Sequence, residues 1–490
     1  MNLSKSKYQR GIQCKKMLWL EKHKPEEKEV IDTTAIMEQG NMVHEVARYL
    51  FGKHINIEYT DDLNEMIKDT YRTIESYKNV VITEASFNYE NNFCSIDILI
   101  KKGNKYEMYE VKSSTGLQEV YITDASYQYY VLTSLGFNVT KCSVVTINNS
   151  YERIGPLELD KLFTINDITS DVKELQETVK ENIKSINEYM DNDLERGEEI
   201  DTHCYSPYPC PFFNYCTRNL PKPNVFDITK ELGATTINLY KQGYITFEDL
   251  LNAKIKDNYR QRIEFDLYNK EDYIDKENLK EFLDKLTYPL YFLDFESYQM
   301  PIPLYDHVRP YEQVPFQYSL HYYEKENSEL KHTEFLAMPG SDPRRSLAEQ
   351  IVKDIPKDTC VLAYNMYFEK GRIRRLAQLY PDLSEHLTNI ENNIKDLEDP
   401  FKKRYYYTKN MDGLSTIKKV LPALFPDDPS LDYHNLDLIH NGTEAMNSFR
   451  KMENMTKEEL EYTRERLLRY CELDTYAMVK IYKKLKEKVK

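Results

Sequence analysis

The stretch "CSIDILIKKGNKYEMYEVKSSTG" (94–116) places Asp97 in one apolar run and Glu110 and Lys112 in the next. Two carboxylates can hold Mg2+ or Mn2+ through oxygen. An ammonium beside them can orient a water or offset charge on a phosphate under attack. A second acidic pair, Asp294 and Glu296, lies two residues apart in "YFLDFESYQ" (291–299). Acids inside an apolar run are costly to bury unless they bind something. A third stretch, "CYSPYPCPFFNYC" (204–216), spaces Cys204, Cys210 and Cys216 with five residues between successive thiols. Three thiols fill neither a set of disulfides nor a four-ligand metal or iron–sulfur site, so a fourth must come from elsewhere in the chain.

Elements of regular periodicity must bring these groups together. Residues 94–116 form two strands around the turn "KKGNK". Residues i and i+2 of a strand share a face, so Glu110 and Lys112 project together, Val111 points into the core, and Asp97 reaches the same spot across the hairpin. Upstream, "MEQGNMVHEVARYLF" (37–51) is an amphipathic helix with Gly40-x-x-x-His44, and His44 is a further candidate ligand. Downstream, residues 121–137 form a helix bearing Gln128, Tyr129 and Tyr130. In the second region Asp294 and Glu296 share one face of their strand and Phe295 takes the other. "CVLAYNMYFEKGRIRRLAQL" (360–379) gives a strand, Asn365, and a helix carrying Glu369. Tyr470 and Asp474 stand at i and i+4 on a terminal helix, on one face. Asp396 is another candidate acid, and the helix at 412–425 is expected to pack beside the site with no chemical part. Each pattern alone also fits a plain reading: a surface ion pair, incidental acids at a strand end, or a common helix spacing.

The 490 residues suffice for roughly three domains. The 41% of hydrophobic residues supports packed cores. No apolar run of about 18 residues occurs, so no membrane helix is expected. The first residues lack the apolar segment of a secretory signal, so a cytoplasmic location is expected. There thiols stay reduced, which favours ligation over disulfides at 204–216. A net charge of −15 counts against a protein that coats nucleic acid, although Lys5/Lys7/Arg10/Lys15/Lys16, Arg372/Arg374/Arg375 and Lys402/Lys403/Arg404 form local basic clusters. Cys94, Cys142, Cys360 and Cys471 lie in apolar stretches and are expected to be small buried residues. The two prolines of "LPKPNVFDI" (220–228) mark a linker. The expected domains are 1–220, a helical linker region at 221–285, and 286–490.

With these motifs in order, residues 1–220 resemble the RecB-family PD-(D/E)XK nucleases, especially the CRISPR-associated adaptation nuclease and the AddB-type nuclease domain. That resemblance implies a restriction-endonuclease-like fold, with His44, Asp97 and Glu110 as metal ligands and Lys112 as a catalytic residue. It also implies a [4Fe–4S] cluster on Cys14, Cys204, Cys210 and Cys216. Gln128 and Tyr129 would then touch nucleic acid, although Leu132 stands where the family motif Q-x-x-x-Y has its tyrosine. Residues 286–490 resemble DnaQ-like DEDD exonucleases of RNase H-like fold. This implies metal ligation by Asp294, Glu296, Glu369 (an aspartate in most of the family) and Asp474, and a catalytic Tyr470; from the basic cluster beside Glu369, Arg372 and Arg375 are the expected nucleic-acid contacts. The chain as a whole is similar to bacterial fusions of these two modules. The implied fold class is α/β throughout. The implied function is hydrolysis of DNA phosphodiesters at two Mg2+ or Mn2+ sites, in a protein with no membrane partner. A four-cysteine zinc site, an RNA-directed exonuclease whose N-terminal half binds substrate, and a non-catalytic scaffold are the alternatives.

Overall fold

A computed structural model describes residues 3–31, 34–229 and 232–490. The chain is mixed α/β with several sheets. It forms two compact units: Met1–Leu220 together with Met300–Glu312, and Pro221–Gln299 together with Gln313–Lys490. The helical region 221–285 therefore belongs with the second unit. It keeps a small apolar core of its own around Val225, Phe247, Leu250 and Ile263.

In the first unit the strands Asn79–Tyr89, Asn92–Lys102 and Lys105–Val111 run antiparallel in succession. The first turn has only two residues, Glu90 and Asn91, both at positive φ (47° and 64°), the geometry of a tight hairpin. The chain then crosses over through the helix Glu119–Ser134 to Val139–Ile147, which lies parallel to Lys105–Val111. The sheet is apolar on both faces. One face, with Ile82, Phe87, Ile96, Leu99 and Met108, packs on a core that includes Tyr127 and Leu132 of the crossover helix. The other, with Ile98, Tyr109, Val111 and Val145, packs under Val43 and Ala47 of the helix Thr34–Ala47. Burial on both sides explains why "CSIDILI" shows little alternation. Lys112 lies one residue beyond its strand, yet its N–H still bonds to the Val145 carbonyl (2.9 Å).

The sheet of the second unit has the strand order Lys331–Leu336, Val314–Tyr323, Leu290–Tyr298, Cys360–Ala363, Ile394–Asp396. The first three are antiparallel and the last two run parallel to Leu290–Tyr298. One face carries Tyr291, Leu293, Phe295, Tyr318 and Leu320 and is covered by apolar residues from helices between 344 and 393. The opposite face meets the long helix Lys457–Val489. That helix starts well before the apolar stripe near 466, because Thr456 and Glu459 close a capping box. No helix among the described residues is long and apolar enough to cross a membrane.

Candidate functional sites

The hairpin of the first unit brings Asp97 and Glu110 together as the spacing requires. Asp97 Oδ2 accepts from the Val111 N–H (2.6 Å), and its other oxygen lies 3.9 Å from His44 Nδ1. Glu110 is almost wholly buried. Its Oε1 meets Lys5 Nζ at 2.6 Å and Lys112 Nζ at 2.9 Å, and its Oε2 accepts from Gln128 Nε2 at 2.7 Å. Lys112 also reaches Asp124 (2.6 Å). Burial alone would raise the Glu110 carboxyl, but the two ammonium groups outweigh it and hold it well below the ordinary range. Asp97 shifts the opposite way, raised by burial and by the charge of Glu110.

Among the described residues of this unit, His44, Glu84 and Asp97 bring metal-type donors together, with one ligand atom from each inside 4.8 Å of the others. Glu84 therefore stands with His44 and Asp97, whereas Glu110 is occupied by lysines. Glu84 has φ of +59° within a strand, a costly backbone for a non-glycine residue and one that clusters at functional sites. Burial and Asp97 raise its carboxyl. Lys5, Asp124 and Glu84 were not legible as site residues from motif matching. Asp124 carried a signal, since it lies four residues before Gln128 on the same helix face. Gln128 and Tyr129 are not available to nucleic acid. Gln128 is fully buried as the partner of Glu110, and Tyr129 packs in the core.

Replacing Lys5 by methionine is expected to destabilise the first unit by about 2 kcal/mol at pH 7, the worth of a hydrogen bond to a buried charge. A depressed carboxyl contributes its stability above its ordinary titration range and loses it only as pH falls through its own depressed range, so the deficit should persist at pH 3 and fade only at still lower pH. Urea titrations at both pH values measure it.

In the second unit Asp294, Glu296 and Asp474 converge from a strand and a helix some 180 residues apart, with ligand atoms inside 4.8 Å of one another. All three are buried or nearly so. Tyr433 donates to Asp474 Oδ1 at 2.6 Å, and Tyr470 also bonds to Asp474. The Cys471 thiol lies 3.8 Å from Asp294 Oδ2. Burial, followed by the charges of Asp474, Glu296 and Glu369, pushes Asp294 well above the usual carboxylate range. Burial lifts Asp474 to about 6 and Glu369 to about 8. Glu369 Oε2 is buried with no hydrogen-bond partner. Asp396 Oδ1 accepts from the Asn365 and Glu398 N–H groups at 2.9 Å, and its charge helps to raise Glu369.

Lys418, on the helix Ile417–Leu424, lowers the carboxyls of both Glu296 and Asp474 through its charge. The helix expected to pack beside the site thus also brings a positive charge to its acids. Arg372 and Arg375 lie half-buried three residues apart on the helix Tyr367–Leu379, with the Arg372 guanidinium 4.6 Å above the Phe368 ring.

Cys14, Cys204, Cys210 and Cys216 line one small cavity with Met17, Leu20 and Phe212. None is in a disulfide. Gln13 ties the N-terminal helix to this loop by donating to the His203 and Tyr208 carbonyls (2.8 and 2.7 Å). Lys16, Lys24 and Tyr215 hold Glu195 beside it. Burial pushes Cys14 up to about 11 and Cys210 to about 12, and the neighbouring thiols add to both. The other four cysteines are buried singly.

Residues 291–416 match the model of a domain of unknown function, DUF2779. The matched segment holds Asp294, Glu296 and Glu369 and stops short of Asp474. The chain is similar to the uncharacterized protein UU173 of Ureaplasma parvum, 26% identical over 287 residues, or 54% of this chain and 41% of that one. It is also similar to the uncharacterized protein MG366 of Mycoplasma genitalium, 25% identical over 214 residues, or 40% of this chain and 32% of that one. It thus spans less than half the length of these curated relatives.

Proposed function

We propose that the chain is a metal-dependent nuclease with two hydrolytic sites. The observation that carries this reading is the convergence of Asp294, Glu296 and Asp474 in a buried pocket, with the orphaned Glu369 nearby. Uncompensated buried carboxylates are expensive, and a divalent cation is the natural counter-charge. The donor set is all oxygen, which suits Mg2+ or Mn2+. Such ions, when bound, supply the Lewis-acid charge for attack of water on a phosphodiester.

The side chains divide the remaining work. Tyr433 and Tyr470 fix the Asp474 carboxylate by donating to it, and burial with the surrounding acids keeps the Tyr470 phenol protonated, so its oxygen is left to accept from an attacking water. Lys418 supplies fixed positive charge to balance a phosphate. In the first unit His44, Glu84 and Asp97 are the candidate ligands. Lys112, held charged by Glu110 and Asp124 despite burial, is an electrostatic stabiliser and not a base. The strand orders support restriction-endonuclease-like and RNase H-like units, respectively. Cys14, Cys204, Cys210 and Cys216 would hold an iron–sulfur cluster that staples the ends of the first unit. DNA is the preferred substrate.

The test is cleavage of labelled single-stranded DNA, duplex DNA and RNA by the full chain with Mg2+ or Mn2+. Lys112→Ala and Asp294→Ala should each abolish a different set of products. If neither variant changes any product, the reading fails; if RNA alone is cut, its choice of DNA fails.

A further inference from the structure

Beside the acidic pocket, the same sheet face carries a second group of metal-type side chains with a different chemistry. His321 on Val314–Tyr323 and His332 on Lys331–Leu336 are direct cross-strand partners. Their ring centroids are 4.4 Å apart. Glu472, on the helix that bears Asp474, joins them, and one ligand atom from each of the three lies within 4.8 Å of the others. His321 is buried, His332 half-buried and Glu472 exposed, so the group opens to solvent at one end.

A chain of hydroxyls orients the two rings. Thr475 Oγ1 donates to the Glu472 carbonyl (3.1 Å). Its one proton is thereby used, so it accepts from His321 Nδ1–H (2.8 Å) and from the Ser319 hydroxyl (2.7 Å). Ser319 Oγ in turn accepts from His332 Nε2–H (2.9 Å). Each imidazole is left with one unprotonated nitrogen, the form in which histidine ligates metal. Hydrogen bonding of the other ring nitrogen is the usual outer-shell support of such ligands.

We propose that His321, His332 and Glu472 bind a zinc-class divalent ion at a site distinct from both acidic pockets. Two imidazoles and one carboxylate form a donor set suited to Zn2+, and imidazole selects late first-row metals over Mg2+. Glu334, whose carboxylate stands 4.0 Å from His332 Nε2, is a further carboxylate beside the site. Because Glu472 lies two residues from Asp474, the ion would pin this helix to the outer strands and fix the acids it presents.

The full chain, equilibrated with micromolar ZnCl2 in excess Mg2+, should hold one more equivalent of zinc by atomic emission than His332→Gln. Zinc should raise the Tm of the wild type more than that of the variant. Glu472→Gln, a change at an exposed position, should weaken zinc affinity by about tenfold or more. Equal zinc content in the wild type and a folded His332→Gln would overturn the proposal. Should His332→Gln fail to fold, unchanged zinc affinity in Glu472→Gln would overturn it.

Discussion

Asp294→Asn is expected to cut the activity of the second unit by on the order of 10³-fold while making the metal-free protein more stable. Both effects have one cause. Asp294 is buried against Asp474, Glu296 and Glu369, so its charge is unfavourable until a cation arrives. An amide of the same shape removes a ligand and the repulsion together, a trade between stability and activity. The pH dependence follows in sign. A carboxyl raised in the folded state favours folding when protonated, so its contribution is complete below the ordinary carboxylate range and is lost as pH rises. For Asp474 the loss runs from about pH 4 to about 6, and for Glu369 it continues to about 8. The shift at Asp474 alone corresponds to on the order of 3 kcal/mol. Metal-free protein should therefore show a falling Tm between pH 5 and 8, Mn2+ should restore it, and Asp294→Asn should flatten the slope. A Tm that rises over this range without metal, or an active Asp294→Asn enzyme, would contradict the pocket's assignment.

The groups most legible in the sequence were those whose partners lie within one element or one hairpin. Asp294 with Glu296, Tyr470 with Asp474, and Glu110 with Lys112 follow from periods of 2 and 3.6, and the structure places each pair together. The cysteine set needed a partner 190 residues away (204 minus 14), and only the family resemblance supplied Cys14. Glu84 could have been reached by counting. A two-residue turn pairs Tyr89 with Asn92, and counting five steps back from each end sets Glu84 against Asp97, between the observed pairs Thr83–Ile98 and Ala85–Ile96. Like charges directly opposed in a sheet are destabilising, so such a pair counts as a candidate cation site. "YENNF" lacks the glycine that usually announces such a turn, which hid the register. Lys5 stood out only as one member of a basic cluster, not as a partner of the acids, and Lys418 had no local signal. Each reaches its acids through tertiary packing, and among 66 basic residues neither spacing nor composition singles them out. The same holds for Met300–Glu312, which leaves the second unit's sheet between two paired strands to join the first unit.

Cys210→Ser should turn a brown, anaerobically purified protein colourless and lower the melting temperature of the first unit more than any surface change. The cluster would join residue 14 to residue 204, closing a loop whose entropy in the unfolded chain is worth ~5 kcal/mol. The thiols enter the fold from a short N-terminal helix and an irregular loop, whose apolar neighbours Trp19, Leu20, Phe212 and Tyr215 share one core. Assembly must also expel protons, because Cys14 and Cys210 sit near 11 and 12 when protonated and only thiolates ligate. Reconstitution with iron and sulfide should therefore proceed further at pH 8.5 than at pH 6.5, while the apo protein shows no matching change in secondary structure. A colourless wild type carrying zinc that Cys210→Ser loses would replace the cluster with a tetrahedral ion. Equal melting of wild type and Cys210→Ser would remove the staple altogether, leaving the shared apolar core, Gln13, and Glu195 with its partners to tie the ends of the unit.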